Sequence, residues 1–428
     1  MAQVYYGCAN PAHRTGATLL VVGHNDLVSS RVRSADSGAM ADEVERMLAG
    51  SGAVLALADP SRPAGPIDES ALPDGFTGAL VPTSGSTGAP KTVMLSRRAL
   101  LAAARAASDR LGGPGSWANP LPPWYVAGLM TRVRAAVAGR SCVEVSPHLE
   151  DLPRPQGRAY VSLVPAQLHR ALSQPEICRN LTSYAAVLIG GAALDGALRA
   201  RAEQAGITVV TTYGASETCG GVVYDGVPLD GVTIRLIDQT EEPSPVECRE
   251  MSATGDEKRT YGDIRGLGTT GAPPPAAVGR IQLDTPTLFD GYLGDPEGTA
   301  RVRTATGFLT NDRGRLVDGR LRVLGRVDDV VQSGGKNVDL SEVQRLLDEA
   351  FPHQTACFAK PDPVWGATVL VASTGPGLDE IWARLRPSLD SAARPRGILC
   401  LDELPRTSSG KIDREALTQM WRNNGERA

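Results

Sequence analysis

Short apolar runs alternate with segments of helical periodicity through the middle of this 428-residue chain. The run 159–163 precedes a helix expected near 165–173, the run 185–189 precedes one over 194–205, and 207–212 leads into Tyr213 and Gly214. An unbroken apolar run followed by an amphipathic stretch suits a buried parallel strand and its crossover helix. Such sheets bind ligands at the carboxyl ends of their strands, so Gly190, Gly191, Ala192, Tyr213 and Gly214 stand where a site is expected. Earlier, the apolar residues 79–81 enter a hydroxyl- and glycine-rich stretch, and Ser96 is placed to cap a helix reaching about Leu111.

The pattern breaks over 239–277, where Glu, Pro, Gly, Ser and Thr dominate and Ala-Pro-Pro-Pro-Ala fills 272–276. This composition predicts a flexible surface insertion. Strand-like pieces at 279–283 and 321–324 follow, and a compact unit completes the chain. The expected class is α/β, with a large N-terminal domain of layered α/β sheets over 1–325 and a small α+β C-terminal domain over 326–428. The first helix of the smaller domain is expected to begin at Asp339, which makes a capping box with Glu342.

A net charge of -4 offers no basic footprint for nucleic acid or acidic lipid. No apolar stretch approaches the roughly 20 residues that span a bilayer, and the first residues lack the regions of a signal peptide, so a cytoplasmic protein handling small molecules is expected. Seven scattered cysteines, never spaced Cys-x-x-Cys, indicate neither a disulfide framework nor a zinc site. Of 44 basic residues only Lys91, Lys258, Lys336, Lys360 and Lys411 are lysine, and three of these lie in motifs.

The richest motif is Thr83-Ser-Gly-Ser-Thr-Gly-Ala-Pro-Lys91. The hydroxyls of Thr83, Ser84, Ser86 and Thr87 donate to phosphate oxygens, Gly85 and Gly88 let backbone amides approach closely, and Lys91 adds a point charge. It is not a Walker loop, because Gly85 and Gly88 are three apart and Pro90 precedes the lysine.

Three further segments complete an ordered set: Tyr213-Gly-Ala-Ser-Glu217, Gly325-Arg-Val-Asp-Asp-Val-Val-Gln-Ser-Gly-Gly-Lys-Asn337 and Pro405-Arg-Thr-Ser-Ser-Gly-Lys-Ile-Asp-Arg414. Together with the loop at 83–91 they resemble the adenylate-forming acyl-CoA synthetase superfamily. The resemblance implies ATP, Mg2+ and CoA. It implies that Tyr213 stacks on adenine against Gly190, Gly191 and Ala192, with Gly214 and Ser216 beside it, and that Thr87 and the loop hold the phosphates. Glu217 would hold magnesium, Asp312 would take both ribose hydroxyls, and Arg326 would be a second ribose or phosphate contact. Asn311 stands where the family has glycine, and asparagine tolerates the left-handed angles of a turn. Asp328 would be the hinge that makes the C-terminal domain mobile, Ser333, Gly334, Gly335 and Lys336 would line the path of CoA, and Lys411 would contact the acyl carboxylate and α-phosphate during adenylation.

Within the superfamily, the segments 161–170, 188–195 and 212–226 resemble the o-succinylbenzoate:CoA ligases of menaquinone biosynthesis, as does the short stretch of about 80 residues before the phosphate loop. The implied acid is o-succinylbenzoate. Trp124 and Tyr125 stand where those ligases have a His-His pair in the segment lining the acyl pocket, which keeps another aromatic or aliphatic acid as the alternative. Arg132 and Arg134 are candidates for the acid's non-reacting carboxylate. A non-catalytic nucleotide-binding protein is the alternative from another class, and the presence of both Lys411 and Glu217 speaks against it. The expected partners are the acid, ATP and CoA, with no nucleic acid, no integral membrane segment and a homodimer as an option.

Overall fold

The apolar runs of the middle of the chain become five parallel strands, in spatial order Cys142–Glu144, Ser116–Asn119, Ala159–Leu163, Ala186–Ile189 and Val209–Ala215. Gly220–Tyr224 and Val227–Pro228 extend them antiparallel into a seven-stranded sheet. Every residue of Ala159–Leu163 and Ala186–Ile189 is buried, which is why these strands carry no alternation of polar and apolar positions. This architecture is seen in a computed structural model that describes residues 18–23, 33–34, 37–50, 53–58, 67, 69–83, 91–237, 251–252, 278–305, 307–407 and 412–424.

One face of the sheet packs on the helices Pro165–Ala171, Pro175–Leu181 and Gly196–Gln204 through Leu168, Ile177, Leu181 and Leu198. The last of these helices begins at Asp195, whose carboxylate accepts from the Leu198 amide at 2.9 Å. Against the other face lie Arg97–Arg110 and Val126–Val137. The helix Arg97–Arg110 is the middle layer: Ala99, Leu100 and Ala103 join the core of a second sheet, while Ala107 joins that of the first. Ser96 stands at its N-cap as expected. Its hydroxyl, however, is buried without a partner, and its amide donates to Asp290 Oδ2 at 3.0 Å.

The second sheet is six-stranded, in the order Gly291–Tyr292, Lys91–Ser96, Gly78–Thr83, Ala53–Ala58, Thr18–Gly23 and Arg33–Ser34. A third, antiparallel sheet joins Thr233–Ile237, Val278–Asp284, Gly307–Val317 and Arg320–Arg326. The expected insertion at 239–277 lies outside the described residues apart from Met251–Ser252, which pairs with Thr233–Ile237. At Asn311 the structure corrects the sequence. No left-handed turn occurs there; Asn311 lies inside Gly307–Val317, and its side-chain oxygen accepts from Arg280 at 2.7 Å.

Residues from Val330 onward build a fourth sheet of Lys336–Asp339, Val330–Ser333, Gly366–Ser373 and Thr355–Asp362, with Ile398–Cys400 added in parallel. Leu340–Ala350 and Leu378–Leu385 cover one face through Val343, Leu347 and Ile381, and Arg414–Asn424 covers the other through Leu417. Asp339 caps its helix by accepting from the Ser341 amide at 2.9 Å. The reciprocal half of the capping box is absent, because Glu342 pairs with Arg345 at 2.6 Å. No helix among the described residues is long and apolar enough to cross a membrane.

Phe289 is fully buried, its ring 5.1 Å from that of Tyr292 and 5.8 Å from that of Phe308. Phe289→Ala should therefore lower the unfolding free energy by about 3–5 kcal/mol in urea melts. A loss below about 1 kcal/mol would mean that this core repacks freely around the missing ring.

Candidate functional site

Two parallel strands end side by side at the site. Thr211 faces Ile189 in the ladder between them, and a Cβ on the next residue, Gly190, would stand 2.7 Å from Thr212 Oγ1. Gly190, Gly191 and Ala192 thus begin where the first strand stops, next to Thr212 and Tyr213 of the second. After Tyr213 the ladder to Gly220–Tyr224 shifts register, and the backbones close so tightly that a Cβ on Gly214 would lie 1.9 Å from the Gly220 oxygen. Only glycine fits there.

The Tyr213 hydroxyl donates to Asp312 Oδ2 at 2.8 Å. Burial, then the Asp312 charge, pushes this hydroxyl well above the usual tyrosine range, so it remains a donor at ordinary pH. Asp312 and Arg326 are facing partners in the pair Gly307–Val317 and Arg320–Arg326, and their charged groups stand 4.0 Å apart. Arg326 also grips Asp328 through two hydrogen bonds of 2.7 Å. Against the cost of burial, that guanidinium holds the Asp328 carboxyl below its usual range.

On the phosphate side, Thr83 and Lys91 face each other in the hairpin of Gly78–Thr83 and Lys91–Ser96, so the loop between them leaves and returns at one point. Ser84, Gly85, Ser86, Thr87 and Gly88 lie outside the described residues. Lys91 Nζ stands 4.6 Å from the centroid of the Tyr292 ring, and the Tyr292 hydroxyl donates to Glu217 Oε1 at 2.7 Å. Ser216 and Glu217 form a single 3-10 turn with Thr218. The turn is fixed by the Phe289 amide, which donates to the Glu217 carbonyl at 2.8 Å, and by Thr287 Oγ1, which donates to that of Thr218 at 3.0 Å. Tyr292 is the residue that the sequence does not announce. Its local signal is a Gly-Tyr pair at 291–292 between Asp290 and Asp295.

Among the described residues no group of three or more His, Cys, Asp or Glu could hold a metal ion. A lone carboxylate such as Glu217 holds a hard cation only where other oxygens complete its coordination.

The acyl-side expectations divide. Trp124 and Tyr125 lie together at the start of Val126–Val137, their rings 6.2 Å apart. Trp124 packs against the core containing Met130, Cys219 and Phe289, and its indole N–H is buried with no partner among the described residues. Arg132 is engaged elsewhere, bound to Glu144 at 2.6 Å and donating to the Gly128 carbonyl at 2.8 Å. Arg134 lies over the Trp117 ring at 5.2 Å, in a small cavity with Ser108, Gly113, Gly115 and Tyr160. Those glycines precede the strand Ser116–Asn119, so Arg134 sits at the amino edge of the sheet. It is ten residues from Trp124, of which the last eight, from Val126, span about 12 Å of helix rise. The structure thus separates Arg134 from the aromatic pair with which the sequence grouped it.

Ser333, Gly334, Gly335 and Lys336 form the turn between Val330–Ser333 and Lys336–Asp339. Both glycines are left-handed, and a Cβ on Gly334 would stand 2.9 Å from the Trp365 ring. Lys336 pairs with Asp390 at 2.7 Å in an exposed position. Lys411 lies outside the described residues, but Arg406 and Ile412, on either side of it, meet in a β-bridge.

Residues 12–293 match the family described as AMP-binding enzyme, and residues 351–411 match the AMP-binding enzyme C-terminal domain. The chain belongs to the AMP-binding enzyme family. This is the adenylate-forming superfamily that its four motifs resemble. Among AMP-binding enzymes, the chain is 37% identical to a probable 2-succinylbenzoate–CoA ligase of Mycobacterium tuberculosis, over 80% of this chain and 84% of that protein. It is 30% identical to a fatty acid–[acyl-carrier-protein] ligase of Mycobacterium marinum, over 79% of this chain and 67% of that one. The solved o-succinylbenzoate CoA synthetase of Bacillus subtilis, in complex with its acyl-adenylate intermediate, matches with a TM-score of 0.63 and 23% identity over 79% of this chain and 68% of that one. At that identity the likeness supports the fold alone.

In this AMP-binding enzyme, Gly214→Ala should displace Gly220–Tyr224 and with it Tyr213. Calorimetric titration with AMP should show at least a tenfold weaker affinity, in line with the roughly 1.4 kcal/mol that such a factor represents. An unchanged affinity would show that the Gly214–Gly220 approach does not position the tyrosine.

Proposed function

We propose that this chain activates a carboxylic acid with ATP, forming an acyl-adenylate and pyrophosphate, and then transfers the acyl group to CoA. The acid we assign is o-succinylbenzoate. The observation that carries the reading is the convergence of two pairs at the carboxyl edge of the parallel strands: Tyr213 with Asp312, and Glu217 with Lys91 through Tyr292.

Each residue takes a role that its chemistry suits. The Tyr213 ring offers one face to adenine, and Gly190, Gly191 and Ala192, carrying almost no side chain, leave room for the other. Asp312, held at Oδ2 by Tyr213, presents its other oxygen to the ribose hydroxyls with Arg326 beside it. Thr83, Ser84, Gly85, Ser86, Thr87, Gly88 and Lys91 bind the phosphates, and Gly214 and Ser216 shape the turn beneath them. Glu217 holds magnesium, which neutralises phosphate charge when bound. An oxygen of the substrate carboxylate attacks the α-phosphorus, the bond to the bridging oxygen breaks, and pyrophosphate leaves. Lys411 stabilises the charge that builds on the acyl carboxylate and the α-phosphate.

The CoA sulfur then attacks the acyl carbon and AMP leaves. In this reading a large domain over 1–325 and a C-terminal domain over 326–428 turn about Asp328 between the steps, bringing Ser333, Gly334, Gly335 and Lys336 to the path of CoA. ATP and CoA are cytoplasmic, and we place the enzyme there; a homodimer is the assembly to test by light scattering.

The choice of acid is supported by the Mycobacterium tuberculosis relative; Trp124 and Tyr125, standing where the ligases it resembles have a His-His pair, keep another aromatic or aliphatic acid as the alternative. Purified protein given ATP, magnesium, o-succinylbenzoate and CoA should yield AMP, pyrophosphate and the thioester. Its kcat/KM for this acid should exceed those for benzoate and medium-chain fatty acids. ADP as product would overturn the adenylation reading, and a preference for either competitor would overturn the choice of acid.

Lys411→Ala should slow adenylation by roughly 10²–10³-fold, the usual cost of removing one transition-state donor. Thioester formation from supplied acyl-adenylate should change little. Equal losses in both half-reactions would exclude a role confined to the first.

A further inference from the structure

We propose that Tyr292 is a positioning residue for adenylation, its hydroxyl setting the Glu217 carboxylate and its ring face holding the Lys91 ammonium. The proposal rests on the reading of Glu217 as the magnesium carboxylate and Lys91 as a phosphate contact.

The backbone builds this arrangement. Tyr292 faces Val93 across an antiparallel pair, and Asp290 and Leu293 donate to the carbonyls of Met94 and Thr92 at 2.8 and 2.9 Å. In a strand, residues two apart share a face, so Lys91 lies on the same side as Val93, diagonally across from Tyr292. Its ammonium stands 4.6 Å from the ring centroid, inside the range over which an aromatic face attracts a cation. From the other direction, Phe289, three residues before Tyr292, donates its amide to the Glu217 carbonyl at 2.8 Å. One short segment therefore carries hydrogen bonds to the strand leaving the phosphate loop and to the turn holding Glu217.

Tyr292 is only 6% exposed and its ring is wedged 5.1 Å from that of Phe289, so its hydroxyl has little freedom to leave Glu217. The hydroxyl donates to Oε1 of Glu217, and Oε2 has no partner among the described residues. Setting both charges before the nucleotide arrives removes reorganisation from the reacting complex.

The experiment compares Tyr292→Phe, which keeps the ring, with Tyr292→Leu, which removes both features. Manganese binding is read by electron paramagnetic resonance in the presence of α,β-methylene-ATP, and binding of that analogue without metal is read by calorimetry. In Tyr292→Phe, manganese affinity should fall about tenfold, as expected for a lost hydrogen bond to a charged group, with metal-free analogue binding unchanged. Tyr292→Leu should also weaken metal-free binding, through Lys91. In a Glu217→Gln background, Tyr292→Phe should have no further effect on manganese.

If Glu217→Gln alone leaves manganese affinity unchanged, the underlying reading of Glu217 fails. If Glu217→Gln weakens manganese but Tyr292→Phe does not, the positioning role alone is overturned. Equal weakening of metal-free and metal-bound analogue in Tyr292→Phe would also overturn it, because that is the signature of general distortion.

Discussion

The hydrogen bond from Tyr213 to Asp312 joins two sheets that have no strand in common. Its donor ends the last parallel strand of the seven-stranded sheet, and its acceptor lies in the long strand Gly307–Val317 of the antiparallel sheet. In the proposed reading, a flat base and its sugar are thereby offered two contacts whose separation is fixed by one short bond. The register shift beside Gly214 aims the ring, and the facing of Asp312 and Arg326 aims the carboxylate. Both devices belong to the backbone, which keeps side-chain entropy out of the geometry of the site.

Charge is distributed around this bond with little redundancy. Arg326 serves Asp312 at 4.0 Å and Asp328 at 2.7 Å, so a single guanidinium touches both the proposed ribose carboxylate and the proposed hinge. Arg132 and Glu144 are instead a structural pair, with Asn119 donating to the same carboxylate at 3.1 Å. Burial pushes the Glu144 carboxyl up, and the arginine counteracts it. Removing Glu144 would strand the buried Arg132 guanidinium, whereas removing Arg132 would leave a carboxylate that is still 30% exposed.

The parallel strands were legible because burial on both faces leaves them wholly apolar, and their carboxyl ends follow from that order. The motifs picked out Tyr213, Asp312 and Glu217, and the structure brings the first two within a hydrogen bond of each other. They did not pick out Tyr292, since its importance comes from pairing with a strand about 200 residues earlier, which no local pattern reports. Arg132 and Arg134 look equivalent in sequence, yet two helical positions are about 200° apart, and only the position of Glu144 shows which arginine is engaged. The same limit explains Glu342, whose choice between the helix start and Arg345 depends on side-chain geometry. Asn311 was misjudged because the strand Gly307–Val317 takes it in at a register shift of its ladder with Val278–Asp284, without a left-handed angle.

The facing of Thr83 and Lys91 separates two kinds of selection. The hairpin closes at that pair, and the strands on either side are held by the buried Leu80, Val81, Val93 and Leu95. Closing a loop of this length costs little more or less when its residues change, so the folded state is nearly indifferent to what fills 84–90. On the proposed reading of the loop, a variant altered there would express, fold and melt like its parent while failing at the nucleotide. Such variants escape every screen based on solubility or thermal stability, and only a measurement of ligand binding or turnover detects them.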